Sequence, residues 1–216
     1  MDERHWYGFW TFGDYIHSYN NAQHVWYYDW GGHAWQNTEL GVPLWVWTSF
    51  LRTGRGDVFR MAEAQTRNTS ETNVYHIGPM QGLGSRHNVV KWGDGAKEAR
   101  VSQAAHWRPY YYLTTDERTG DIMRAQLTAD LAAVKHDPMR LAQPVLPQDP
   151  KFPGRIRIGP DWFALCGNWM TEWERTGDVT WRDRINRGVD AILAMPYGIR
   201  SGVRNGLNPD IGGDKI

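Results

Sequence analysis

The chain holds a single cysteine, Cys166, in 216 residues. No internal disulfide is possible, so covalent staples play no part in the fold. Cys166 stands in an apolar helical pattern and reads as a small buried hydrophobe rather than a nucleophile. Net charge is also missing, with 24 basic residues against 24 acidic ones. Nucleic acid requires a basic face, and this balance argues against such a partner. No apolar run reaches the ~18 residues of a membrane-spanning helix, so no membrane partner is expected. Met1-Asp2-Glu3-Arg4-His5 lacks the apolar stretch of a secretory signal. The close-paired spacing of zinc ligands is absent too: His17, His24 and His33 lie 7 and 9 residues apart. There is no phosphate loop and no Gly-x-Ser-x-Gly. Gly82-Leu83-Gly84 has no strand before it, which removes a dinucleotide site. No cofactor is predicted, and the reading leaves room for a divalent cation such as calcium.

Aromatic residues are what the chain has in excess. Its 13 Trp and 10 Tyr outnumber 6 Phe. Trp and Tyr join a polar atom to an apolar body and suit half-wet surfaces. As a group they fit either a bulky helical core or a cleft in which flat rings stack on sugars. For any single Trp, the core is the preferred place.

Arg-Thr-Gly occurs three times, at Arg52-Thr53-Gly54, Arg118-Thr119-Gly120 and Arg175-Thr176-Gly177, 66 and 57 residues apart. An aromatic-rich stretch precedes each copy, and Asp57, Asp121 or Asp178 follows. Gly can end a helix in the left-handed conformation, and Asp can accept hydrogen bonds from the N–H groups that open the next. Each copy is therefore read as a turn between two helices, and the chain as a row of helical hairpins.

The first hairpin is placed at residues 39–54 and 57–69. Its start lies near Gly41 because Pro43 is tolerable only in a first turn. Leu40, Leu44, Trp47 and Leu51 form its predicted apolar stripe, and Val58, Met61, Ala62 and Gln65 line one side of the second helix. The second hairpin falls at 97–115 and 120–135, with Pro109 kinking or restarting its first helix and Leu127, Leu131, Ala132 and Val134 facing the core. The third falls at 160–176 and 179–195, with Trp162, Leu165, Trp169 and Trp173 at helical spacing. Residues 1–38 read as ordered loops with room for one short helix, and the Pro-rich residues 137–159 as an extended connection. The fold class is all-α: an incomplete alpha/alpha toroid of about three hairpins with long intervening loops. Three hairpins close a ring poorly, so residues 1–216 are expected to be one partial domain of a larger multidomain protein.

The long Gly-rich segment 71–96 holds the densest polar constellation, and a loop of that length in a compact domain tends to be functional. Tyr75, His76, Arg86, His87 and Asn88 gather within fourteen residues. That set suits removal of the weakly acidic C5 proton of a uronic acid. The step needs a base, a group that neutralises the sugar carboxylate, and an acid for the leaving oxygen. Tyr75 and His76 are candidates for base and acid, Arg86 for the carboxylate clamp, and His87 and Asn88 for polar positioning. A second set lies at Asp29-Trp30-Gly31-Gly32-His33-Ala34-Trp35-Gln36-Asn37-Thr38-Glu39. Asn37 and Glu39 can bind sugar hydroxyls, Trp30 and Trp35 can stack, and His33, His17 and Tyr19 are weaker candidates of the same kind. Asp29 and Glu39 could instead be a hydrolase's carboxylate pair. The plain alternative for Thr38-Glu39 is a helix N-cap with an acidic first turn.

Together these strings resemble a known group. Trp6-Tyr7-Gly8-Phe9, Phe12-Gly13-Asp14, His17-Ser18-Tyr19, Gly31 to Glu39, Phe50 to Gly54, Val74-Tyr75-His76 and Gly82 to Asn88 are similar to exo-acting rhamnogalacturonan lyase-like proteins, and to their C-terminal alpha/alpha-toroid domain in particular. The resemblance covers most of residues 6–125. It implies β-elimination on a uronic-acid-containing chain such as the pectin backbone. It also implies β-rich domains upstream in a full-length protein, and action outside the cytoplasm or on imported oligosaccharides. The expected partner is an oligo- or polysaccharide. The pattern departs at Asn68-Thr69 and Asn73, where His-Thr and Asp are expected. Two other readings stand beside the lyase: a toroidal glycoside hydrolase, and a catalytically silent sugar-binding domain.

Overall fold

The computed structural model describes residues 18–27, 41–85, 97–136, 158–195 and 197–201. Helices dominate them, paired into three hairpins. The first joins α1 (Val42–Thr53) to α2 (Gly56–Arg67). The second joins α3 (Arg108–Thr114) to α4 (Glu117–Ala125), extended by α5 (Ala129–Lys135). The third joins α6 (Phe163–Thr176) to α7 (Val179–Leu193). All-α and alpha/alpha hairpins, as the sequence implies, is the architecture.

Two short antiparallel ribbons accompany the helices. Strand β1 (Ser18–Asn20) pairs with β2 (Val25–Tyr27), Tyr19 opposite Trp26. This hairpin stands where loops and a short helix were expected. Strand β3 (Gly84–Ser85) pairs with β4 (Lys97–Glu98).

Helix α1 begins where proline geometry puts it. Gly41 precedes it and Pro43 occupies its first turn, so Thr38 is not its cap. Its buried face is another matter. Val42, Pro43, Val46 and Trp47 point inward, whereas Leu44 and Leu51 of the predicted stripe are exposed. Spacings of 3 and 4 fit two neighbouring faces of a helix, and tertiary packing chose the one built on Trp47. Leu131 of α5 is likewise exposed, while Leu127 and Ala132 are buried. In α2, Ala62 and Gln65 are buried with Val58 and Met61 packed behind them, as patterned.

The core runs in three patches. Trp47, Val46, Ala62 and Tyr110 join the first hairpin to α3. Trp107, Val74, Ala104, Ile122 and Met123 tie the 74–84 loop to the second hairpin. Trp162, Leu165, Trp169, Leu127 and Leu83 lock the third hairpin to α5. Trp47, Trp107, Trp162 and Trp169 are wholly buried, so these four belong to the core and not to a sugar cleft. A buried indole needs a partner for its N–H. Trp47 donates to Thr66 Oγ1 at 2.8 Å, Trp107 to Thr69 Oγ1 at 3.1 Å and Trp169 to the Leu127 carbonyl at 3.0 Å. Cys166 packs half-buried against the third patch, and burial pushes its thiol up to about 12, which leaves it protonated and inert.

Two of the three Arg-Thr-Gly copies are turns. Gly54 and Gly177 end α1 and α6 in the left-handed conformation, at φ 64 and 74. The middle copy is not a turn. Arg118-Thr119-Gly120 lies inside α4, and the turn comes earlier, at Thr115 (φ 57) with Asp116 as the N-cap. Of the three aspartates, only Asp178 caps a helix, accepting from Thr180 N–H at 2.9 Å. Asp57 pairs with Arg55 at 2.6 Å, and Asp121 is a residue of α4.

Candidate functional site

The described part of the candidate site is the loop that carries Tyr75 and His76. It grows out of α2. That helix does not stop at Arg67 but widens into a π-helical turn, Asn68–Thr72. Single π-turns at the ends of α-helices recur at functional places. Asn68, Thr69 and Ser70 are buried in this turn. Thr72 Oγ1 donates to the Asn68 carbonyl at 2.5 Å, and Asn73 closes the turn, also buried. Asn68 and Asn73, where the resemblance leads one to expect His and Asp, therefore sit inside the scaffold that supports the loop.

From Asn73 the chain enters a tight, closed stem. Val74 bridges to Gly84, Tyr75 N–H donates to the Leu83 carbonyl at 3.0 Å, and Gly82 N–H returns to the Tyr75 carbonyl at 2.9 Å. Ser102 Oγ fixes the far side by donating to the Gly82 carbonyl at 2.6 Å. Gly84 is needed at its place: a Cβ there would stand 2.7 Å from Val101. The stem is thus pressed on the two 3₁₀ turns Ala99–Val101 and Ala104–His106.

His76 has a defined orientation. Its Nε2 lies 2.9 Å from the Glu71 carbonyl. A carbonyl can only accept, so Nε2 is the donor here, and in the neutral imidazole Nδ1 is the nitrogen that bears the lone pair. Arg118 holds Glu71 in turn, its guanidinium 3.0 Å from the carboxylate. Tyr75 and His76 are both half-buried, which suits groups that must meet a ligand.

The same 3₁₀ segment receives the entry to α1. His106 Nε2 lies 3.7 Å from the place a Cβ on Gly41 would take. Gly41 directly follows the segment that holds the second polar set. His106 is buried, its Nδ1 has no hydrogen-bond partner among the described residues, and burial lowers its pKa to about 4. Asn73 Nδ2 and both amide atoms of Gln65 are likewise buried without partners among the described residues. Such groups cost roughly 1–3 kcal/mol each and are rare enough to mark a place under functional constraint. Sequence reasoning passed over His106. The signal lay in its position just ahead of Trp107 and Pro109, where a polar residue enters a buried turn.

Tyr75 and His76 are the predicted site residues whose side chains the structure describes, and they are neighbours on one stem. Tyr19 lies in β1, described by its backbone alone. Arg86, His87, Asn88, His17, Trp30, His33, Trp35, Asn37 and Glu39 lie outside the described residues, as does Asp29. Among the described residues no cluster of three His, Cys, Asp or Glu could hold a metal ion, and no helix is long and apolar enough to cross a membrane.

A family model described as the PcRGLX-like protein C-terminal alpha/alpha toroid domain matches residues 1–213. The chain belongs to that family. The family is the C-terminal toroid domain of rhamnogalacturonan lyase-like proteins, and the helical hairpins are its architecture. The chain is also similar to "Uncharacterized protein YetA" of Bacillus subtilis (strain 168), 50% identical over 202 residues. That match takes in 94% of this chain but 23% of the relative, so the chain spans under a quarter of the relative's length.

Proposed function

We propose that this toroid domain acts in a polysaccharide lyase that cleaves a uronic-acid-containing polysaccharide, of the rhamnogalacturonan or pectin type, by β-elimination. The observation that carries the reading is the Tyr75–His76 stem. It presents a phenol beside an imidazole whose Nε2–H is committed to a carbonyl, which leaves Nδ1 as a proton acceptor. In the proposed step His76 Nδ1 removes the C5 proton of the uronate. The electron pair forms the C4–C5 double bond, the C4–O bond breaks, and Tyr75 gives its proton to the leaving oxygen. Arg86 neutralises the carboxylate through which the carbanionic charge spreads. His87, Asn88, Asn37 and Glu39 hold hydroxyls, Trp30 and Trp35 stack on sugar rings, and His33, His17 and Tyr19 extend the contact. Support for one groove comes from the 3₁₀ segment, which packs against both the stem leading to Arg86 and the Gly41 entry to α1.

The test is an incubation with a uronate polymer, followed by ultraviolet absorbance from the new C4–C5 double bond. The signal should appear, and His76→Gln or Tyr75→Phe should cut the rate by roughly 10²–10⁴-fold. New reducing ends without absorbance would point to hydrolysis by Asp29 and Glu39 and overturn the lyase reading. Binding without any cleavage would mark a silent sugar-binding domain.

A further inference from the structure

The loop that carries Tyr75 and His76 at its base has a second feature at its tip. The turn through Gly78 and Gln81 faces the start of α5 across a small open cleft of about 190 Å³. Its other wall is made by Thr128, Leu131 and Lys135. Leu131 and Lys135 are four residues apart on one helix, so they present one continuous strip. Both are exposed. An exposed leucine alone means little, but here it forms the wall of a concavity.

Among the described residues, the side chains of Gln81, Thr128 and Lys135 have no hydrogen bond or ion pair. Asp130, on the same helix, is taken up by Arg184 of α7. A lysine in a last helical turn also favours the helix dipole, but that accounts for neither the cleft nor the other two polar side chains that line it.

Both walls are fixed. The turn is closed by Gln81 N–H on the Gly78 carbonyl at 3.1 Å and Leu83 N–H on the Met80 carbonyl at 2.9 Å. Gly82 packs so tightly on Ala129 that a Cβ would stand 3.0 Å from its backbone. At the other end, the Leu127 carbonyl is held by Trp169, and Arg184 clamps Asp130. A ligand entering the cleft would not have to order the protein first.

We infer that this cleft is an accessory subsite for one carboxylated sugar residue. Lys135 takes the carboxylate, Gln81 and Thr128 take ring hydroxyls, and Leu131 supports the apolar face of the pyranose. Its volume lies below the ~300 Å³ at which pockets begin to hold drug-sized ligands, which suits a single ring. The inference rests on the uronate reading above and deepens it. A uronate polymer broken near Tyr75 and His76 would rest another of its residues at the tip of the same loop.

The test is titration of the full chain with trigalacturonate, beside the uncharged galactotriose and inorganic phosphate. Lys135→Glu alters an exposed side chain, so it should fold as the parent does. It should weaken trigalacturonate binding about tenfold, leave galactotriose binding unchanged, and raise KM for a uronate polymer with little change in kcat. Gln81→Ala should weaken both oligosaccharides by a smaller factor. Equal trigalacturonate affinity in parent and Lys135→Glu would overturn the subsite, even if the parent cleaves the polymer. Phosphate competing as strongly as trigalacturonate would overturn it too, by revealing a bare anion contact. Lys135-dependent binding without eliminative cleavage would sustain the subsite and sink the lyase reading alone.

Discussion

The turns that close the first and third hairpins share one geometry with the turn that closes the second, although their sequences differ. In all three, the left-handed residue (Gly54, Thr115 or Gly177) donates its N–H at 2.7 Å to the carbonyl four residues back, on Phe50, Tyr111 or Trp173. In all three, the preceding threonine (Thr53, Thr114 or Thr176) donates its hydroxyl to the carbonyl four residues before it, at 2.7 to 2.8 Å. What repeats is an aromatic residue, two free positions, a threonine and a left-handed residue. Arg-Thr-Gly satisfies that rule twice and breaks it once. Inside α4 the same tripeptide becomes a socket. Arg175 of the third hairpin donates to the Gly120 carbonyl at 3.1 Å and lays its guanidinium 4.5 Å from the Tyr111 ring centre, while Arg118 reaches back to Glu71 of the first hairpin. A short motif can thus end a helix in one place and join two hairpins in another.

The largest effect expected from this comparison concerns the position nine residues before each left-handed residue. It holds Trp45, His106 and Asn168 in turn. Asn168 accepts from Ala104 N–H at 2.7 Å, linking the third hairpin to the second. His106 is buried too, but its Nδ1 has no partner among the described residues, and burial lowers its pKa from 6.5 to about 4. Between those values the unfolded chain binds a proton that the folded chain refuses. Stability from this residue is therefore whole above pH 6.5 and falls as the pH drops towards about 4, by on the order of 3 kcal/mol. Below about 4 the loss is complete. Denaturant midpoints measured across that window for the parent and for His106→Asn give the answer, since carboxylates contribute equally to both. Parallel curves would show that His106 is not held neutral by burial.

A second expectation addresses the socket. A Cβ on Gly120 would stand 2.8 Å from the Tyr111 ring and 3.1 Å from Arg175. In an unobstructed helix, replacing Gly would stabilise by up to about 1 kcal/mol. Here the crowding should prevail, and Gly120→Val should cost about 1–3 kcal/mol. The cost should shrink in the Arg175→Ala background, because the arginine is part of what the valine displaces. Additive losses in the double variant would mean that the hairpins meet at Gly120 without depending on Arg175.

The fold was legible because its signals are local. Pro43 and Pro109 each mark a helix start, Gly54 and Gly177 each mark an end, and helical spacing placed Trp162, Leu165 and Trp169 correctly in the core. What could not be read depends on partners distant in sequence. Leu44 and Val46 are equally plausible inward residues until Tyr110, over sixty positions away, stacks on Trp47 and fixes the rotation of α1. The second turn is hidden in the sequence because a left-handed threonine is rare, whereas the nearby Gly120 carries the ordinary signal for a helix end. Of the candidate site, the loop stem bearing Tyr75 and His76 was visible as a polar cluster. The buried His106 and the Lys135 cleft were not, because each is made by segments that meet only after folding.

The smallest effect tests the turn rule itself, through two substitutions of opposite sign. A threonine at φ 57 is strained, because a β-branched side chain crowds the following carbonyl in the left-handed region. Its hydroxyl contributes only an exposed contact with the Thr114 carbonyl at 2.6 Å. Thr115→Gly should therefore stabilise the protein, by about 1 kcal/mol or less once the added freedom of the unfolded chain is counted. Gly177 is the reverse case. Among the described residues nothing lies within 4 Å of the Cβ it would gain, so the backbone at φ 74 is what opposes a side chain. Gly177→Ala should cost roughly 1–2 kcal/mol. Urea midpoints shifting upward for the first and downward for the second would establish one turn geometry written in two sequences. A loss from Thr115→Gly would mean that the threonine side chain, and not the left-handed backbone, holds the second hairpin closed.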